Sequence, residues 1–220
     1  MESRTTHVIF DLDGTLLDTE PLYTIAAEQV CARYGASFTL QLKQQIMGGD
    51  SKRGARIVID TLGLPISPED YLAQREECLL QLFETAEPMP HARELVQSLS
   101  ERGVPIAIAT SGHAHLTEAK LARHPFLRDV PVRISGNDPR LKYGKPAPDI
   151  FLLAALELGA EPAHCAVIED SVLGVQAAQA AGMRAIAVVD RRHGLTLEQF
   201  ASADCAAGSL GELSLADLGL

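Results

Sequence analysis

The chain has 220 residues, 46% of them hydrophobic and 22% charged, with 29 acidic against 19 basic side chains and a formal charge of −10. That length can bury a full core and hold one domain plus an insertion, and the composition is that of a globular protein. The negative balance argues against nucleic acid or an anionic membrane surface as the main partner, but leaves room for a small anion held by local cations.

The first predicted strand, Val8-Ile9-Phe10, runs into Asp11-Leu12-Asp13-Gly14-Thr15. Side chains two apart on a strand share a face, so both carboxylates start out pointing the same way at the carboxyl end of a buried strand. Two close acids are costly unless a cation or a shared proton compensates them, which points to chemistry more than to architecture. From about residue 17 to 87 the apolar spacing is helical, over 21–34, 40–46, 52–62 and 68–84. Pro21 sits in a first helical turn, and Gly48-Gly49 and residues 64–68 punctuate the helices. The return path, Glu87-Pro88-Met89-Pro90, is stiff. This pattern predicts an all-helical second domain, 18–87, inserted into a core made of 1–17 and 88–220, with crossings near 18–21 and 87–90 acting as a hinge. The alternative is extra helices packed on one sheet face. Further on, apolar runs at 106–109, 166–168 and 185–189 alternate with helical patterns at 92–102, 114–123, 149–158 and 172–181. Gly103, Gly159 and Gly182 fall where helix stops are expected. The alternation predicts an α/β fold, a parallel sheet covered by helices on both faces.

Four features fall at the ends of predicted strands, where open α/β sheets bind ligands. They are Asp11-x-Asp13, Thr110-Ser111-Gly112, Lys145 in Gly144-Lys145-Pro146, and Glu169-Asp170-Ser171. Asp-x-Asp-Gly does not open a calcium loop, because Thr15, Leu16 and Leu22 stand where that loop needs an oxygen ligand, a glycine and a glutamate. Taken singly, Thr110-Ser111-Gly112 is an ordinary turn with a helix cap, Lys145 a loop lysine, and Glu169-Asp170-Ser171 a cap for the next helix. Lys145 is not a Walker A lysine either, since the upstream glycines are missing. All four in this order are far more specific, and the set makes sense for phosphoryl transfer. Asp11 is the expected nucleophile, forming an aspartyl-phosphate that water then hydrolyses. A carboxylate meeting a phosphate dianion is repelled, by ~4 kcal/mol per pair of unit charges at about 4 Å and an effective dielectric near 20. Cations must offset that term: a hard divalent ion, Mg²⁺, at Asp11 and Asp170, and Lys145 on the phosphoryl oxygens or on Asp11. Thr110, with backbone N–H groups near Ser111 and Gly112, is expected to cradle the remaining oxygens. Asp13 is expected to protonate the leaving oxygen and then deprotonate water, with a raised pKa while Asp11 stays ionised.

Together, Asp11-Leu-Asp13-Gly-Thr, Thr110, Gly-Lys145-Pro and Glu169-Asp170-Ser171-x-x-Gly174 resemble the four motifs of the haloacid dehalogenase superfamily, over essentially the whole chain. The resemblance implies a Rossmann-like core, an Asp nucleophile, Mg²⁺ held also by the main-chain carbonyl at Asp13, and Glu169 and Ser171 as outer-shell members. The helical insertion resembles the small cap of the phosphatase and phosphomutase branch. Asp13 speaks against a dehalogenase, and the cap lysines Lys43 and Lys52 are not singled out as a phosphonatase Schiff-base residue. Tyr23 stands where β-phosphoglucomutases carry a cap histidine, which favours hydrolysis over mutase chemistry. Asp18-Thr-Glu20-x-Leu22-Tyr23, Met47-Gly48, Pro88-Met89-Pro90 and Gly136-Asn-Asp-Pro139 resemble pseudouridine-5′-monophosphatase-like proteins. Sugar and polyol phosphates stay open as substrates.

Selectivity is expected from the cap and cleft, at Glu20, Tyr23, Met47, Gly48 and Gly49, with His113 near the leaving group. His113 and His115 otherwise read as two surface histidines at a helix start. The expected partner is a small phosphorylated metabolite, with neither nucleic acid nor membrane, acting on a monomer. The alternatives are a phosphomutase and a non-catalytic phosphate-binding relative. A phospho-receiver module has its acidic pair before the phosphorylated Asp and no inserted helical domain, the reverse of the order here. No segment resembles a secretion signal or a membrane span. Cys31, Cys78, Cys165 and Cys205 are scattered without zinc or disulfide spacing, so the cytoplasm is the expected compartment.

Overall fold

The computed structural model describes residues 4–46 and 51–220. Met47, Gly48 and Gly49, expected to contribute to selectivity, lie outside the described residues.

Six strands form one sheet: β1 (His7–Phe10), β2 (Ile106–Thr110), β3 (Val132–Ser135), β4 (Cys165–Glu169), β5 (Arg184–Val188) and β6 (Cys205–Ala207). Every pairing is parallel and the order is β3-β2-β1-β4-β5-β6, the doubly wound, Rossmann-like arrangement. The chain steps outward from β1 to β3, then returns to the other side of β1 for β4. That reversal opens a crevice at the carboxyl ends of the central strands.

Burial follows the period of two. Val8 and Phe10 of β1, Ile106 and Ile108 of β2, and Ala166 and Ile168 of β4 face one apolar cluster. Ile9, Ala107, Ala109, Cys165 and Val167 face the other. Both faces of the central strands are therefore dry, as a parallel sheet requires. β3 and β6 were not among the predicted runs. Only Ile134 of β3 and Ala207 of β6 are buried, so these edge strands carry too short an apolar signal to stand out.

The chain divides into two compact units, one of residues 1–18 and 87–220, the other of residues 19–86. The second contains α1 (Glu20–Ala32), α2 (Leu40–Ile46), α3 (Ser51–Leu62) and α4 (Pro68–Leu82), and no strand among its described residues. Its core includes Ala26, Val30, Val58, Tyr71 and Leu79. Pro21 occupies the first turn of α1, and Ser67 caps α4 by accepting from the Asp70 N–H at 3.0 Å.

The first unit carries α5 (Ala92–Glu101), α6 (Ala114–Leu121), the single turn α7 (Pro125–Arg128), α8 (Asp149–Leu158) and α9 (Val172–Ala180). Gly103, Gly159 and Gly182 all have φ near +70° just past helix ends, the conformation that stops a helix most cheaply with glycine. Where the chain leaves and re-enters this unit, the two passages are hydrogen-bonded: Asp18 N donates to Glu87 O at 2.8 Å and Met89 N to Leu16 O at 2.9 Å. No helix among the described residues is long and apolar enough to cross a membrane.

Candidate active site

Asp11 follows β1 directly, and its N–H donates to Ile168 O of β4 at 3.0 Å. The carboxylate is buried and its Oδ1 accepts from Lys145 Nζ at 2.5 Å. The same ammonium donates to Glu169 Oε1 at 2.5 Å and to Ala109 O at 3.3 Å. Lys145 enters from the loop before α8, across a cis peptide to Pro146, and its side chain is 7% exposed. Glu169 is held from behind, with Oε2 accepting from Ser171 N at 3.0 Å and Ser171 Oγ at 2.8 Å. Ser171 Oγ in turn caps α9 by accepting from Gly174 N at 3.0 Å. Gly174 has no freedom to be anything larger: a β-carbon there would overlap the Glu169 carboxylate.

This arrangement sets the charge at Asp11. Burial pushes its carboxyl up, to about 7; Lys145 pulls it back, while Glu169 and Asp13 push it further up. Burial also works against the Lys145 ammonium, but Asp11 and Glu169 outweigh it and hold that group above its ordinary value. Asp11, expected from the sequence to stay plainly ionised, is the carboxyl that burial raises.

Asp13 lies in different surroundings. β1 ends at Phe10, so both carboxylates lie just beyond the strand, and Gly14 turns the chain after them with φ +81°. Asp13 Oδ1 and Oδ2 accept from Lys120 Nζ at 2.5 and 2.7 Å, and Oδ2 also accepts from Thr110 Oγ1 at 3.1 Å. Each aspartate of the first motif thus has its own lysine. Lys120 is 0% exposed and was not among the sequence candidates. A signal was present: on α6 the buried residues are Leu116, Thr117, Lys120 and Leu121, so this lysine interrupts an apolar stripe at i, i+4 spacing.

Thr110 Oγ1 also accepts from Gly112 N at 3.1 Å, which curls the loop after β2. Gly136 lies against that loop, its N–H donating to Gly112 O at 2.8 Å, and a β-carbon on it would sit 2.7 Å from the Ser111 carbonyl carbon. Ser111 and His113 are exposed, and the His113 and His115 rings lie 6.0 Å apart at the start of α6. In the helical unit, Glu20 Oε2 is 3.9 Å from Lys43 Nζ, and the Tyr23 ring meets Phe83 edge-on at 5.8 Å.

Asp170 accepts from Thr15 Oγ1 at 3.5 Å. Its carboxylate fills the space a Gly14 side chain would need, with Cγ at 2.9 Å from that β-carbon position. Among the described residues no three His, Cys, Asp or Glu side chains cluster as a metal site. The donor set implied here is different, two carboxylates and the Asp13 main-chain carbonyl, all hard oxygens of the kind magnesium prefers alongside retained water. The residues present fit the ion.

Comparison with known proteins matches the same core. Residues 5–182 match the family model of haloacid dehalogenase-like hydrolases. The chain is 44% identical over 193 residues to (DL)-glycerol-3-phosphatase 1, mitochondrial, of Arabidopsis thaliana, covering 85% of this chain and 65% of that protein. It is 38% identical over 221 residues to the protein named "Probable pseudouridine-5′-phosphatase" of Drosophila melanogaster, covering 99% and 95%. The crystal structure of CbbY from Rhodobacter sphaeroides in complex with phosphate superposes with a TM-score of 0.84 at 27% identity, over 98% of this chain and all of that one. On the extent of these matches, the chain belongs to the haloacid dehalogenase-like hydrolase family.

Proposed function

We propose that this phosphoric monoester hydrolase transfers the phosphoryl group of a small metabolite to Asp11 and then to water. The observation that carries the reading is the buried Asp11–Lys145–Glu169 triad at the switch point of the sheet, with the Asp13–Lys120 pair two residues on.

Asp11 attacks phosphorus, the bond from phosphorus to the ester oxygen breaks, and Asp13 delivers a proton to that departing oxygen. Asp13 then takes a proton from water, which attacks the aspartyl-phosphate and frees inorganic phosphate and Asp11. Lys145 stays protonated beside Asp11 and offsets the charge that a phosphate brings to a carboxylate. Glu169 and Ser171 orient Lys145, and the loop Thr110–Gly112 offers N–H and hydroxyl groups to the phosphoryl oxygens. Asp11, Asp170 and the Asp13 carbonyl would hold Mg²⁺, whose charge draws electron density from the phosphoryl oxygens and favours the ionised Asp11.

The helical unit, 19–86, supplies selectivity. The relatives named above act on glycerol 3-phosphate and on pseudouridine 5′-phosphate by their names, which supports a small polyol, sugar or nucleoside monophosphate as substrate. A β-phosphoglucomutase-type reaction is the second reading, disfavoured by Tyr23 at the place of the mutase histidine. The test is hydrolysis of 4-nitrophenyl phosphate with and without Mg²⁺, followed by a panel of glycerol, sugar and pseudouridine phosphates. Metal-dependent release of phosphate is expected; phosphate retained as an isomerised sugar phosphate would favour the mutase, and no turnover would remove the reading.

A further inference from the structure

Lys120 is the buried charge that the proposed mechanism does not use. Taking an ammonium out of water costs several kcal/mol unless it is paired and its donors are satisfied. Here it lies on α6 inside an apolar stripe, fully covered, with both Asp13 oxygens at 2.5 and 2.7 Å. Buried Thr117, one turn earlier on α6, donates its hydroxyl to His113 O at 3.1 Å and lies 3.4 Å from Ser135 Oγ, so polar groups line this end of the sheet. Thr110 adds a third contact on Asp13. A carboxylate gripped through both oxygens from one side and by a hydroxyl from another cannot rotate about its last torsion without breaking a bond. A lysine at the end of a flexible stem rarely provides such order at the surface, but this one is fully covered, on a helix whose buried residues include Leu116 and Leu121.

We propose that Lys120 is a positioning residue for proton delivery: it fixes the Asp13 carboxylate so that an ester oxygen of low acidity can leave protonated. This rests on the reading that Asp13 serves the leaving oxygen. A well-placed acid contributes about 10²–10⁴-fold, and that contribution depends on sub-ångström placement. It matters for alkyl esters, whose alkoxide needs the proton, and little for nitrophenyl esters, whose phenolate leaves unaided. Lys145 has the other duty, charge at Asp11, which all substrates need alike.

The test compares kcat/KM for glycerol 3-phosphate and 4-nitrophenyl phosphate, because kcat/KM reports the transfer to Asp11 and not the later attack of water. Lys120→Met, similar in length but uncharged, is expected to lose roughly 10²-fold or more on the glycerol ester and less than about tenfold on the nitrophenyl ester. Asp13→Asn should show the same selective loss, and the double variant should add little to it. Lys120→Arg, which keeps a cation and can donate to both carboxylate oxygens, should recover part of the loss on the glycerol ester. If Lys120→Met fails to fold, as judged by its unfolding transition, Lys120→Gln is read in the same way. Equal losses on both esters in the Lys120 variants, while Asp13→Asn remains selective, would overturn the proposal and leave the assignment of Asp13 standing. Equal losses in Asp13→Asn as well would overturn both.

Discussion

Gly174→Ala is a small change with a large expected effect. On an ordinary helix, replacing glycine by alanine stabilises by about 0.5–1 kcal/mol. Here the three atoms nearest to the new β-carbon all belong to the Glu169 carboxylate, at distances that overlap. Glu169 must swing away, which breaks its contact with Lys145 and its two bonds from Ser171. Losing one partner of a buried ion pair costs about 3–5 kcal/mol, so the net destabilisation is about 2–4 kcal/mol. For a protein of this size that lowers the unfolding temperature by roughly 4–16 °C, and Lys145 loses its orientation at the same time. The assay is thermal and urea unfolding of the single variants, Glu169→Ala and Gly174→Ala, and the double variant. In the Glu169→Ala background the overlapping atoms are gone, so Gly174→Ala should become neutral or stabilising, giving a coupling energy of at least about 2 kcal/mol. A stabilised Gly174→Ala single variant, or additive effects, would refute the packing argument.

Four other outcomes follow from the geometry. If Mg²⁺ is held by the ionised Asp11 as proposed, then, with burial raising that carboxyl to about 7, apparent Mg²⁺ affinity should fall by up to about tenfold per pH unit below pH 7 and level off above pH 8. A magnesium titration followed by thermal stabilisation checks this, and a flat affinity from pH 5.5 to 8 would contradict it. With no metal, the folded state binds that proton more tightly than the unfolded one. Stability should therefore decline as pH rises from about 4 to about 7. Gly136→Ala pushes on the Ser111 carbonyl and should displace the Thr110–Gly112 loop, raising the inhibition constant of inorganic phosphate several-fold, with overpacking of about 1–3 kcal/mol in unfolding experiments. Tyr71→Phe should stabilise the helical unit by about 1 kcal/mol in urea unfolding, because the Tyr71 hydroxyl is buried with no hydrogen-bond partner among the described residues.

Much of the fold was legible because the central strands carry unbroken apolar runs and the helices between them end at glycines. Helix α8 begins and ends where its spacing predicts, at Asp149 and Leu158, and Gly159 stops it with φ +69°. β3 and β6 were not legible: edge strands need little burial, and Cys205-Ala206-Ala207 has neither length nor β-branched residues. The carboxylates and Lys145 stood out from spacing alone. The structure joins Asp11, Lys145 and Glu169 through direct contacts, which makes Glu169 a partner of Lys145 and not merely an outer neighbour. Lys120 was missed because a lone lysine on a helix is ordinarily a solvated one. Its burial alongside Leu116 and Leu121 of α6 becomes meaningful only when Asp13, 107 residues away, is brought against it by the sheet. The direction of the Asp11 charge shift depends on burial, which spacing does not report.

The central claim is that phosphorus passes through Asp11. Rapid quenching of the enzyme with Mg²⁺ and 4-nitrophenyl phosphate, followed by mass spectrometry of the acid-stable digest, tests it most directly. The account predicts a phosphoryl group on the peptide containing Asp11, more of it in an Asp13→Asn variant slowed in water attack, and none in Asp11→Asn. A phosphoryl group on another residue, or steady turnover by Asp11→Asn, would contradict it.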